Sequence, residues 1–178
     1  HYDFVHNDLH SSNIMLVNTN KKNIYIKYKQ YYYKIPTLGK ICKIIDFGRA
    51  TFRIGDKLFF SDVFKKYGDA EGQYSYPYNN TLKKCKVLPN KSFDLARLST
   101  TIVEYFENNS DLYNLMKSWA TDKYGNSLIY EDDDFDLYKN IAKNVYNSVP
   151  KDQLNKKIFR CFRVNRDKIP KNEFIYVY

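Results

Sequence analysis

The chain has 178 residues, of which 43% are hydrophobic and 28% charged, and it carries a net charge of +9. That length supports one domain with a sizeable core, and the composition excludes wholesale disorder. No run approaches the roughly 20 apolar residues of a membrane-spanning helix, so no membrane association is expected.

Cys42, Cys85 and Cys161 are widely separated and odd in number. They form no C-x-x-C metal spacing and read as reduced thiols of an intracellular, cytoplasmic protein, and no signal peptide opens the chain. The Lys and Arg residues are scattered along the sequence, without an Arg-rich helix or an RRM-type stacking motif. Nucleic acid is therefore not the expected partner, and the Lys-, Asn-, Tyr- and Ile-rich composition of an AT-rich genome accounts for the charge.

In chain order, residues 4–17 read as a short polar loop running into an apolar segment, NIMLV. Residues 18–23, NTNKKN, are a turn by composition. IYIKYKQYYYKI alternates and is rich in β-branched and aromatic residues, which predicts a strand or hairpin. KICKIIDFG predicts another strand, closed by Gly48. Residues 51–91 have no clean period and predict a long, partly structured loop, longer than an idle connection needs. Leu95, Leu98, Ile102 and Phe106 recur at helical spacing and predict a buried helix over 93–107 with Ser92 as N-cap. A second helix is expected from Leu112 to Trp119. The acidic run 131–136 reads as helix initiation before LYKNIAKNVYNSV, a helix that Pro150 is expected to end. The basic tail, 151–178, finishes in FIYVY, a strand or extended segment docked on the body.

The chemistry concentrates in FVHNDLHSSNIM, residues 4–15. Asp8 and Asn13 lie five apart in a loop that leads into an apolar strand, and Asp46 closes the next strand system. Oxygen donors at strand ends suit a magnesium–phosphate site, because magnesium takes one or two protein oxygens and completes its shell with phosphate and water. Turn or strand-end capping would account for either aspartate alone.

HNDLHSSN resembles the protein-kinase catalytic loop, H-R-D-L-x-x-x-x-N, and Asp46-Phe47-Gly48 resembles the magnesium-binding triplet that follows it in that family. The resemblance covers residues 4–50. It extends to Asp94, where SFDLARL is similar to the C-lobe helix whose aspartate holds the catalytic loop's backbone. The resemblance implies an α+β fold: a kinase-like C-terminal lobe, mainly α-helical, with strands carrying the loop and the triplet. It implies a single such domain over 1–178: catalytic loop 4–17, β insert 18–45, triplet and activation segment 46–91, helical part 92–150 and tail 151–178. Asp8 is expected to orient the substrate hydroxyl and accept its proton. Asn13 and Asp46 are expected to hold Mg2+, and Met15 and Ile45 to form the apolar floor under the adenine of ATP. His6 would be structural, bonding backbone near Asp46, and Phe47 would pack in the core. A protein presenting Ser or Thr is the expected substrate, and the motif style resembles Ser/Thr kinases of large DNA viruses, placing the protein in host cytoplasm or virion.

Four departures from the family pattern matter. Asn7 stands where an arginine usually meets a phosphate on the activation segment, and Asn carries no charge for such a pair. His10 replaces the usual lysine; it either donates to phosphate when protonated or is a structural loop residue. Asp8 and Asp46 lie 38 positions apart, a longer gap than is usual in the family, which a β-hairpin insert would fill. No glycine-rich loop, strand lysine or helix glutamate precedes the catalytic loop, so a fragment without the N-lobe is expected, one that by itself binds ATP weakly and transfers phosphate poorly. A small-molecule kinase of the choline or aminoglycoside type, and a pseudokinase acting as an interaction module, are the alternatives.

Overall fold

The computed structural model describes residues 3–74, 88–131 and 135–178. Cys85, Pro77 and the acids at 132–134 lie outside them. The strands are β1 (Ile14–Asn18), β2 (Asn23–Tyr28), β3 (Tyr31–Pro36), β4 (Lys40–Ile44), β5 (Thr51–Ile54), β6 (Lys57–Phe60), β7 (Arg163–Val164) and β8 (Ile175–Val177). The helices are α1 (Phe93–Ile102), α2 (Asp111–Trp119), α3 (Phe135–Asn144), α4 (Pro150–Gln153) and α5 (Lys157–Arg160). Among the described residues helix and strand are almost equally represented, a mixed α+β fold rather than a mainly helical one. The chain divides into two compact units: residues 1–13 with 44–150, and residues 14–43 with 151–178.

The first unit holds a core of Val5, Phe64, Tyr74, Phe93, Leu128, Leu137, Ile141 and Val145, with Ala96, Ala120 and Ala142 between the larger groups. Four rings run through it in sequence. Phe64 meets Tyr74 at 5.5 Å between centroids, Tyr74 meets Phe93 at 6.3 Å, and Phe93 meets Tyr138 at 5.9 Å. Burying a ring such as Phe93 completely contributes about 2 kcal/mol. Helix α1 starts at the predicted residue but ends at Ile102 rather than 107, followed by a 3-10 turn over Val103–Tyr105; it buries Phe93, Ala96, Arg97 and Ser99, while Leu95 and Leu98 are half-buried. The inward face is rotated from the apolar stripe because small residues allow close approach and because α1 also delivers Asp94 to the loop at residues 6–7.

Capping differs from the sequence reading as well. Ser92 makes no side-chain cap bond to α1; its Oγ instead accepts from the Ser148 amide at 3.2 Å. Asn90 ties the entrance of α1 to the end of α3. Its Oδ1 accepts from the Ser92 amide at 2.9 Å, and its Nδ2 donates to the carbonyls of Ile141, Ala142 and Val145 at the end of α3. Helix α2 begins as a capped helix should, with Ser110 Oγ accepting from the Tyr113 amide at 3.1 Å. Helix α3 stops at Asn144, and Pro150 opens α4 rather than ending α3; its missing N–H is an orphan at a helix start in any case. The stretch predicted as a loop after residue 50 contains the β5–β6 hairpin, in register from Thr51 opposite Phe60 to Ile54 opposite Lys57.

In the second unit β1 pairs with β4, and the insert between them is a tight hairpin. Strands β2 and β3 run antiparallel from Asn23 opposite Pro36 to Tyr28 opposite Tyr31, so the turn is only Lys29 and Gln30. Lys29 has φ 53, an uncommon conformation for a residue with a side chain. The tail completes the sheet in the order β7-β3-β2-β8. Strand β8 runs parallel to β2, with Tyr25 opposite Ile175 and Lys27 opposite Val177. The sequence reading placed FIYVY as a docked strand; its partner is the insert.

Candidate functional site

The loop at residues 5–13 is fixed from three sides within the first unit. Val5 and Thr51 exchange both backbone hydrogen bonds at 2.9 Å, which ties the loop entrance to β5. The Asp94 carboxylate accepts from the amides of His6 and Asn7, at 2.8 and 2.9 Å. Burial raises the Asp94 pKa above its ordinary value, and these two amide bonds offset only part of that. At the far end the Ser11 amide donates to Thr101 Oγ1 at 3.1 Å.

His6 is fully buried. Its Nε2 lies 2.9 Å from the Ile45 carbonyl, and since a carbonyl only accepts, Nε2 carries the hydrogen. Nδ1 is buried without a hydrogen-bond partner. The ring therefore braces the backbone beside Asp46, the role the sequence suggested. Phe47 does not pack in the core. It is 54% exposed, its ring tilted against His6 at 5.3 Å and edge-on to Phe4 at 6.0 Å. The aromatic of the triplet is a surface ring.

Asn7 has φ 65 and is fully buried, and its side chain explains why such a conformation is held. Nδ2 lies within bonding distance of the carbonyls of Arg49 (2.9 Å) and Val5 (3.3 Å) and of Thr51 Oγ1 (3.1 Å). Tyr74 O–H donates to Asn7 Oδ1, and Gln73 Nε2 donates to the Asn7 carbonyl at 3.2 Å. A neutral amide thus joins the loop, the strand after the triplet, and the segment that reaches Tyr74. Every partner of its side chain is uncharged.

Asp8, His10 and Asn13 come together in the loop. Asn13 Nδ2 donates to the Asp8 carbonyl at 2.9 Å and lies 3.2 Å from His10 Nε2. His10 Nε2 stands 3.9 Å from Asp8 Oδ1, so in this arrangement the imidazole braces Asn13. Asn13 Oδ1 has no hydrogen-bond partner among the described residues, although Asn13 is only 7% exposed. The Ile45 amide donates to the Asn13 carbonyl at 3.0 Å, which fastens the residue before Asp46 to Asn13. Asp46 itself has φ 61 and ψ 72, a conformation that costs a non-glycine residue about 1 kcal/mol or more and that clusters at functional sites. Its carboxylate is exposed and, among the described residues, meets only the Gly48 amide, at 3.3 Å. Ile45 is half-buried; Met15, in β1 of the second unit, is 52% exposed.

Sequence reasoning missed Tyr138. From α3 its hydroxyl donates to Asp8 Oδ1 at 2.6 Å. The ring lies between two guanidiniums, those of Arg49 and Arg97, each 5.0 Å from its centroid. Burial and the bond to Asp8 raise the Tyr138 pKa, with Arg97 opposing, so the phenol remains a donor at neutral pH. One oxygen of Asp8 is thereby fixed, and Oδ2 has no hydrogen-bond partner among the described residues. Only the apolar spacing of α3 hinted that position 138 faces inward.

No cluster of three or more His, Cys, Asp or Glu residues able to hold a metal alone occurs among the described residues. The available donors, Asn13 Oδ1 and the Asp46 carboxylate, are hard oxygens and too few for an all-protein cage. That donor set fits magnesium completed by phosphate and water, and fits calcium or zinc poorly.

No family model matches the chain. A stretch of 77 residues is 34% identical to the serine/threonine-protein kinase haspin homolog of Drosophila melanogaster, covering 42% of this chain and 14% of that protein. The chain thus spans about a seventh of that relative's length, and the similarity supports a kinase-like relationship at that coarse level. No helix among the described residues is long and apolar enough to cross a membrane.

Proposed function

We propose that this chain carries the catalytic loop and metal-binding triplet of a protein kinase that transfers the γ-phosphoryl group of ATP, with Mg2+, to a Ser or Thr hydroxyl of a protein, on a kinase-like C-terminal lobe. The observation that carries the reading is the double amide clamp of Asp94 on His6 and Asn7, which presents Asp8 with one oxygen anchored and one available. Asp8 Oδ2 takes the proton of the substrate hydroxyl as its oxygen attacks the γ-phosphorus and the bond to ADP breaks. Asn13 and Asp46 would hold the magnesium, which supplies neutralisation of charge on the transferring group. His10 keeps Asn13 oriented, and Ile45 is assigned to the adenine floor.

The test is ATP-dependent phosphorylation of Ser/Thr peptides and protein mixtures by the full chain, with and without Mg2+. Asp46→Asn is expected to raise the Mg2+ concentration needed for half-maximal transfer by about tenfold or more, since it removes the charged ligand. An unchanged Mg2+ requirement would sink the assignment of Asp46, and transfer to small alcohols but not to peptides would redirect it to a small-molecule kinase.

The neutral surroundings of Asn7 carry a second expectation. No cation stands at this position to receive a phosphate, so phosphatase treatment is expected to leave activity unchanged. A large loss on treatment, measured by the same transfer assay, overturns it.

A further inference from the structure

The charge of the chain is not spread over its two units. Residues 14–43 and 151–178 together carry fifteen Lys and Arg against three Asp and Glu, a net +12. The remaining residues carry fourteen against seventeen, a net −3, and the two make up the chain's +9. The first segment of the basic unit alone, 14–43, which takes in most of the insert, has seven lysines and no acid. A genome-wide bias toward lysine acts on both units alike and does not produce such a partition. None of the fifteen cations is ion-paired with a carboxylate among the described residues, whereas Lys65, Lys91 and Lys139 of the other unit are, at 2.7, 2.5 and 2.6 Å. Thirteen of the fifteen are exposed. Unpaired, concentrated positive charge of this kind is held against its own repulsion and is complementary to a polyanion.

The same unit exposes aromatic rings among those cations: Tyr31, Phe162, Phe174, Tyr176 and Tyr178. The Arg163 guanidinium lies 3.9 Å from the Tyr31 centroid. Beside that stack is an open cleft of about 390 Å³ lined by Gln30, Tyr31, Tyr32, Arg163, Asn165 and Arg166. Arg163 is held by Tyr33 Oη, the Leu154 carbonyl and Asn155 Oδ1, so the cleft offers the exposed Arg166 guanidinium for phosphate, the open face of Tyr31 for stacking and two amides for base edges, on a scale that suits a nucleotide. We propose that this unit binds single-stranded nucleic acid, with the cleft between the β2–β3 turn and β7 seating one nucleotide. An anionic membrane is the less suitable polyanion, because the unit has no long amphipathic helix with a basic polar face; its helices α4 and α5 have four residues each. The sequence expectation against nucleic acid rested on scatter along the chain. Folding gathers two segments more than a hundred residues apart, and the scatter disappears. The proposal is independent of the kinase reading.

The experiment is fluorescence anisotropy of the full chain with labelled single-stranded DNA and RNA across a salt series. Affinity is expected to fall linearly with salt on logarithmic axes, and binding on either arm supports the proposal. The double change Lys29→Glu and Arg166→Glu is expected to weaken binding at least ~10-fold and to flatten the salt slope. Both side chains are exposed, and Arg166 makes only a 3.4 Å bond to the Ile169 carbonyl, so the sheet is left intact. Tyr31→Ala is expected to cost ~10-fold at fixed salt through lost stacking. The control is Lys66→Glu with Lys123→Glu, the same charge change on the other unit, expected to alter affinity less than about twofold by comparison. An equal loss from both double variants, undiminished binding by the first, or tighter binding to phosphatidylserine vesicles or polyglutamate than to either oligonucleotide overturns the proposal.

Discussion

Changing Asp8 to Asn is expected to lower phosphoryl transfer on the order of 10³-fold while leaving nucleotide affinity unchanged. The amide keeps an oxygen to accept from Tyr138 and keeps the shape of the side chain, so the loop is undisturbed. What it loses is the basic oxygen that takes the substrate's proton. Single-turnover transfer together with nucleotide binding on the same preparation checks both halves; unchanged turnover refutes the role given to Asp8. Tyr138→Phe is the informative companion. It leaves the carboxylate charged but frees the anchored oxygen, so a smaller loss of about tenfold in kcat, with little change in KM, is expected.

Asp94→Ala is expected to destabilise the fold by about 2–4 kcal/mol. It strips the acceptor from two loop amides and leaves them without a replacement partner, next to two residues that are themselves fully buried, His6 and Asn7. Urea unfolding of variant and parent measures it, and a change below about 0.5 kcal/mol would show that the clamp is not holding the loop. The carboxyl's raised pKa adds a pH signature of known sign. A group whose pKa is higher folded than unfolded contributes its full stabilisation below the unfolded value and loses it as pH rises through the folded value. The stability advantage of Asp94 over an Asn at this position is therefore expected to be larger in acid and to shrink as pH rises from about the ordinary aspartate value of 3.8.

Much of this site is legible in sequence because its parts are local. Asp8, His10 and Asn13 share one loop, so their spacing already encodes their meeting. Asp94 was legible as well, through the motif around it. Tyr138 was not: its hydroxyl reaches Asp8 across 130 positions, and nothing at position 138 distinguishes a donor to a carboxylate from an ordinary core tyrosine. Asn90 escaped for a related reason, since its Nδ2 serves the end of a helix some fifty residues on. The register of α1 was misjudged because periodicity weighs apolar residues, while this helix turns inward with Ala96, Arg97 and Ser99. Phe47 was expected in the core from the kinase resemblance, whereas the ring that braces its segment is His6.

The sheet β7-β3-β2-β8 has a consequence for how this protein is made. Hairpin β2–β3 leaves the ribosome more than a hundred residues ahead of both strands that cover its flanks, which come from residues 163–177. At about 5–20 residues per second, the hairpin waits on the order of ten seconds or longer with two open edges. Such edges template pairing with other chains. The seven lysines of the insert, with no acid to neutralise them, keep nascent copies apart during that interval. A chain cut short before residue 163 would leave both flanks of the hairpin uncovered.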